Sequence, residues 1–298
     1  MDTALVLTRG NPIGAAAMLT NLNPSHGSFT GVARSPKSVS PLIGQLVYRP
    51  GERSARLAFF TPESSINNSN LTGMVDRMAE QAGEWGAFNI LAELPEDHES
   101  LEGMRRCGFV VYARQQIWRL PSPARNHRRQ SLWAPANSKD EIGIRNLFHC
   151  LVPPLAQGAE SFPAQRQKGF VHRQQGEMLA FVEGVYGPRG IYLLPLFHLT
   201  LENVEELIAD LLLHLAPLLG RPVYLAVRSY QSWIDNALEA LPALKGERQV
   251  LLVKHLAHIQ RVPVYNSLRA TIENSTPEPT VSIQAIALPQ PQLAEIEE

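Results

Sequence analysis

Cysteine is scarce in this chain: Cys107 and Cys150 are the two among 298 residues, and neither sits in a Cys-x-x-Cys pair. That excludes a disulfide framework or a thiolate zinc module. An excess of one charge is missing too. The 27 Lys and Arg residues balance 28 Asp and Glu, a net charge of −1, which argues against a protein devoted to a nucleic-acid backbone. The local basic cluster Arg125, His127, Arg128 and Arg129 reads as solvated linker. The longest aliphatic stretch, residues 207–219, is broken by Asp210, His214 and Pro217 and falls short of a membrane span. Residues 1–5 show no basic segment leading into an apolar one. Neither a Gly-x-Ser-x-Gly elbow nor a Gly-Lys-Ser/Thr phosphate loop occurs. His255 and His258, three apart in one strand, point to opposite faces and make no simple metal pair. The chain is therefore expected in the cytoplasm, with no nucleic acid, membrane or metal among its partners.

What is present is enough apolar residue, 44% of the chain, to build two cores, and a pattern that occurs twice. Tyr48-Arg49-Pro50-Gly51 punctuates two apolar runs in the first half, and Tyr186-Gly187-Pro188-Arg189-Gly190 does so in the second. Each is followed by an aliphatic helix, a short strand, a second helix and a long final strand. The copies close on Arg119-Leu120-Pro121 and Arg261-Val262-Pro263. The repeated order predicts a duplicated α/β protein: a domain over residues 1–121, a linker over 122–131, a second domain over 132–263, and a Pro-rich acidic tail, read as disordered, over 264–298.

Within the first copy, Leu5-Val6-Leu7 reads as a strand and Asn11-Pro12 as the opening of a helix over residues 14–22. Strands are expected at 29–33, 41–49 and 55–60, the last two joined by a Pro-Gly turn. Leu71, Met74, Val75, Met78, Ala79 and Ala82 recur at helical spacing. A short strand at 88–92, a helix ended by Gly108 and a strand at 109–120 complete the copy. The second copy begins with a strand-like Leu132-Trp133 and a helix capped by Asp140 and stopped by Pro153-Pro154. Strands at 170–173, 178–186 and 191–198, an amphipathic helix carried by Val204, Leu207, Ile208, Leu211, Leu212 and Leu215, a strand at 223–227, a helix near 234–241 and a strand at 249–259 follow.

This order of elements resembles the GNAT N-acetyltransferase superfamily, in both halves. Leu101-Glu102-Gly103-Met104-Arg105-Arg106-Cys107-Gly108-Phe109-Val110 is similar to that family's passage from helix to last strand, and Gln116-Ile117-Trp118-Arg119-Leu120 to the strand's end. Trp133-Ala134-Pro135-Ala136 through Asp140-Glu141-Ile142 resembles the opening strand and first helix. The resemblance implies two tandem domains, each with its own mixed, mostly antiparallel sheet that parts in the middle, packed as a pseudo-dimer within a monomer. It also implies acyl transfer from acyl-coenzyme A, such as acetyl-CoA, to a small-molecule or protein amine. In the family, the pantetheine arm pairs with backbone between the parted strands and the pyrophosphate rests on the next helix's N-terminus.

The family's glycine-rich loop is degenerate here. The first copy offers Asn68-Ser69-Asn70-Leu71-Thr72-Gly73, so Asn68, Asn70, Thr72 and Gly73 are the cofactor-binding candidates. The second offers no glycine in residues 198–203 and sets Glu202, Glu205 and Glu206 where a pyrophosphate would lie. For catalysis, Tyr230 is the candidate acid, against the plainer role of anchoring a helix; His198 and Glu96 are candidate bases, against roles as a packing histidine and a turn carboxylate. Glu93 and His98 share the Glu96 turn as further candidates. Loss of both loops leaves a second expectation open: a catalytically dead GNAT-fold binding or assembly module.

Overall fold

The computed structural model describes residues 2–10, 27–34, 40–66, 70–121, 131–160, 162, 169–215 and 220–256. These fall within one unit, Met1–His258. The expected helix over 14–22, the linker cluster around Arg125, His258 and the 264–298 tail lie outside the described residues.

The first half contributes helix α1 (Thr3–Arg9) and strands β1 (Gly27–Ala33), β2 (Leu42–Tyr48) and β3 (Ser54–Thr61). Helix α2 (Asn70–Glu84), strand β4 (Asn89–Pro95), helix α3 (Ser100–Arg106) and strand β5 (Val110–Leu120) complete it. The second half contributes β6 (Ala134–Pro135), α4 (Glu141–Leu151), α5 (Pro154–Gln157), β7 (Gly169–Gln174), β8 (Glu177–Tyr186) and β9 (Ile191–Phe197). It ends with α6 (Val204–Leu215), β10 (Val223–Arg228), α7 (Ile234–Ala240) and β11 (Leu244–His255).

Local chemistry accounts for most of these boundaries. At the β2–β3 turn Pro50 presets the first central residue, Gly51 takes φ 87°, and Glu52 N–H donates to the Arg49 carbonyl at 3.0 Å. Gly108, at φ 84°, lets the chain reverse after α3. Leu71, Met74, Val75, Met78 and Ala82 form the buried stripe of α2. The helix that Asp140 was expected to cap is opened by a capping box instead. Asn137 accepts from Lys139 N–H at 3.0 Å, and Asp140 accepts in return from Asn137 N–H at 2.8 Å. Leu132-Trp133 is not a strand; pairing begins at Ala134 and stops at Pro135.

Leu5-Val6-Leu7 is helical rather than extended. Asp2 Oδ1 caps the helix by accepting from Leu5 N–H at 2.9 Å, and Ala4 and Leu7 pack on Ile117, Tyr192 and Ala226. Three apolar residues are too few to display a period, so the cap and the surface beneath decided.

The larger correction concerns the sheets. The expectation of one sheet per half gives way to a single sheet of 11 strands, in the order β1-β2-β3-β4-β11-β5-β10-β9-β8-β7-β6. The closing strands are exchanged: β11 lies beside β4, β5 lies beside β10, and the two pair with each other. Side-chain contacts hold the seam. Gln115 Nε2 donates to Gln249 Oε1 at 2.7 Å, and Glu96 accepts from Arg114 Nε at 2.6 Å and Arg248 Nε at 3.1 Å.

All described pairings are antiparallel except β3 with β4 and β9 with β10. Alternation divides the strands between cores: Val223, Leu225 and Val227 face α6 and α7, while Ala226 faces α1. In the first half, Ile90 and Ala92 join Val250 and Leu252 against α2 and α3.

Candidate functional site

Each parallel pair is held for three residues and then lost. Strand β3 meets β4 at Ser54, Ala55 and Arg56 against Asn89, Ile90 and Leu91; β9 meets β10 at Ile191, Leu193 and Tyr192 against Val223, Leu225 and Tyr224. On their other edges β4 pairs with β11 and β10 with β5 throughout, and beyond these points the edges that β3 and β4, and β9 and β10, turn toward each other look into wedges. A wedge leaves backbone groups that need partners.

In the first wedge the partners come from the N-terminal segment. Asp2 N–H donates to the Ala58 carbonyl at 3.0 Å, and Thr3 N–H donates to Glu93 Oε2 at 2.9 Å. Ala58 and Glu93 are each two positions past the last pair, on opposite walls, so residues 2 and 3 span the gap. Thr3 Oγ1 also donates to Gln249 Oε1 at 2.9 Å. Arg56 adjoins the same group: burial works against its charge, but the carboxylates of Asp2 and Glu93 prevail and leave its pKa raised.

In the second wedge the partner is one side chain. Gln231, fully buried, accepts from Phe197 N–H at 2.9 Å and donates to the Pro195 carbonyl at 3.0 Å. A primary amide carries one acceptor and two donors, so it reproduces what a neighbouring strand would offer. Pro195, with no N–H of its own, asks for nothing more there.

The helix ends beyond the wedges also differ. The first turn of α2 holds no acid, Thr72 and Gly73 are exposed, and a methyl built on Gly73 would meet nothing within 4 Å. Glu202, just before α6, and Glu205 and Glu206 in its first turn line a cavity of about 500 Å³, faced by Trp233, the residue before α7, and Asn236 within it. For an acyl-coenzyme A pyrophosphate the first setting is favourable and the second repulsive. Among the described residues no His, Cys and acid group is placed to hold a metal ion.

The residues singled out from the sequence are not gathered in one place. Tyr230, in the turn Ser229–Gln231, packs with the Phe148 cluster, its hydroxyl 3.4 Å from Glu160 Oε1. Burial, and then the Glu160 charge, push that phenol well above its ordinary range. His198 closes a turn: its Nδ1 lies 2.7 Å from Thr200 Oγ1 and accepts from Thr200 N–H at 3.3 Å. Glu96 is held between Arg114 and Arg248 at the seam. His98 accepts from Ser100 N–H at 3.0 Å and pairs with Glu63 at 2.6 Å, and so belongs to the start of α3. Asn70, Thr72 and Gly73 share the first turn of α2; Asn68 lies outside the described residues. Of the carboxylates in this stretch, Glu93 is the one that reaches a wedge. Cys107 is buried, and burial, the main cause that pushes its thiol up, works against a thiolate there.

Sequence reasoning missed Gln231, the Asp2–Thr3 segment, and the buried pair formed by Arg228 and Glu160. Arg228 Nε donates to Glu160 Oε1 at 2.8 Å, and its Nη1 donates to Gln115 Oε1, tying β10 to the other half's closing strand. An arginine ending an apolar strand was the available signal.

A conserved protein of unknown function from Staphylococcus epidermidis superimposes with a TM-score of 0.51 at 10% identity, over 80% of this chain and 98% of that one. A GCN5-related N-acetyltransferase from Kribbella flavida gives a TM-score of 0.50 at 15% identity, over 82% and 95%. The chain has the GNAT N-acetyltransferase fold. A tandem GNAT protein from the clavulanic acid biosynthesis pathway also matches, with a TM-score of 0.47 at 14% identity, over 85% of this chain and 92% of that one. No family model and no curated protein sequence matches the chain. In the GNAT frame the two wedges are the partings expected from the resemblance, carried on one sheet instead of two. No helix among the described residues is long and apolar enough to cross a membrane.

Proposed function

We propose that this chain transfers an acyl group from acyl-coenzyme A to an amine at the first wedge, and that the second wedge is structural. One observation carries the assignment: the first wedge alone joins an acid-free, open helix start with a carboxylate, Glu93, set two residues past the parting. Acyl-coenzyme A would supply the acyl carbon and leave as the free thiol. Asn70, Thr72 and Gly73 would hold its pyrophosphate, with the helix dipole favouring the anion. Glu93 would accept the proton that the attacking amine sheds, as a general base. The duplicated order of elements and the exchanged closing strands make the second half a permanent partner for the first, so a monomer suffices.

A second reading has an observation of its own. The edge carbonyl two positions past each parting, Ala58 and Pro195, is already paired within the chain, which favours a binding or assembly module without cofactor. Calorimetric titration with acetyl-coenzyme A separates the two. We expect binding by the wild type, loss of binding in Gly73→Leu with no fall in Tm, and little change in Glu202→Ala. The new side chain enters open space, and replacing a helical glycine costs no packing. No heat and no Tm shift at millimolar acetyl-coenzyme A would hand the case to the second reading.

A further inference from the structure

We infer that the Asp2–Thr3 start of α1 is a tethered occupant of the first wedge, with the helix seated by the Gly187–Gly190 turn of the second half, and that acyl-coenzyme A and the amine engage the wedge by displacing it. The inference rests on the acyl-transfer reading above and adds its regulation.

The two ends of α1 are held by different halves. At its start, Asp2 and Thr3 use their backbone N–H groups on the Ala58 edge carbonyl and on Glu93, the carboxylate that the proposed reaction needs. At its end, Arg189 N–H donates to the Thr8 carbonyl at 2.9 Å. The glycines of that turn are required by this approach. A methyl on Gly190 would come within 2.6 Å of the Leu7 carbonyl oxygen, and one on Gly187 would overlap the Thr8 carbonyl. Arg221 Nη1 donates to the Gly187 carbonyl at 2.7 Å and braces the turn. The Tyr-Gly-Pro-Arg-Gly run noticed in the sequence is thus a docking platform.

The helix itself is weakly held. Seven residues are too few to be helical alone, so α1 exists only while docked. Its apolar contact with the sheet is made by Ala4 and Leu7, both partly buried, while Thr3 and Thr8, at its two ends, are buried. A short element fixed by a few hydrogen bonds at each end can leave without disturbing the sheet beneath.

The test uses the full chain and acetyl-coenzyme A as the probe. Thr3→Pro removes the N–H that meets Glu93, and proline suits the first position of a helix, so the fold is kept. Gly187→Ala lifts the other end without touching the wedge. Thr3→Pro should bind acetyl-coenzyme A about tenfold tighter than wild type, the scale of one hydrogen bond to a charged group, and Gly187→Ala should tighten binding in the same direction. In the unaltered chain, amide exchange over residues 3–9 should quicken on saturation with acetyl-coenzyme A. Wild-type binding that neither variant tightens, or exchange in α1 that stays unchanged or slows, overturns the inference while the acyl-transfer reading stands. Absence of binding in the wild type and both variants overturns the two together.

Discussion

Replacing Gln231 with leucine tests whether a side chain really stands in for a strand in the second wedge. Leucine fills nearly the same volume, so the cavity contribution is small. What is lost is the pairing of Phe197 N–H and the Pro195 carbonyl, both in the fully buried surroundings of Gln231. An unsatisfied buried polar group costs about 1–3 kcal/mol, so two cost about 2–6 kcal/mol, less what the apolar replacement returns. We expect a net loss of about 2–4 kcal/mol in urea unfolding, with the slope against denaturant unchanged. Gln231→Glu adds a signature in pH. Only its protonated form can donate to Pro195, so its folded pKa lies above the ordinary Glu value of about 4.3. Relative to wild type, that variant should stand highest below about pH 4 and lose stability as pH rises through the folded pKa. A cost under about 1 kcal/mol for Gln231→Leu, or a Gln231→Glu variant that gains on wild type with rising pH, would refute the reasoning.

Other outcomes follow from the same contacts. Glu160→Ala leaves the Arg228 guanidinium buried without its carboxylate and should cost about 3–5 kcal/mol, while Glu160→Leu with Arg228→Met should recover most of that; equal losses in single and double variants would contradict a buried pair. Burial raises the Asp235 carboxyl above its ordinary range, with the Trp118 N–H, at 2.8 Å, pulling the other way. Its folded form therefore binds the proton more tightly, and the stability this contributes below about pH 4 is lost as pH rises through the folded pKa. Asp235→Asn keeps an acceptor for Trp118, so urea midpoints from pH 4 to 7 should show wild type declining relative to the variant; a relative rise would reverse the sign of the argument.

Much of the architecture was legible because it is local. The Pro50-Gly51 turn, the Gly108 reversal and the spacing of Leu71, Met74, Val75 and Met78 are written in residues whose neighbours are close in the chain. The same holds for the acids at the start of α6, which already argued against a nucleotide in the second half. The candidate site was less readable. Glu93 was one carboxylate among several in its turn, and only the parting of β3 from β4 distinguishes it from Glu96, which the seam arginines hold. Gln231 carried no signal, since nothing in a Ser-Tyr-Gln-Ser run says which backbone groups lie unpaired 34 and 36 residues earlier.

The amino-acid sequence by itself determined the kinds of elements, their order and their repetition, because turn chemistry and periodicity act over a few residues. Tertiary structure alone decided which strands became neighbours. An alternating apolar strand presents the same face to any partner, so β5 and β11 had two acceptable beds. The exchanged pairing is held by distant contacts such as Arg228 with Gln115 and Arg248 with Glu96. For the same reason the short apolar run at residues 5–7 became a helix: its conformation depends on an Asp2 cap and on a docking surface more than a hundred residues away.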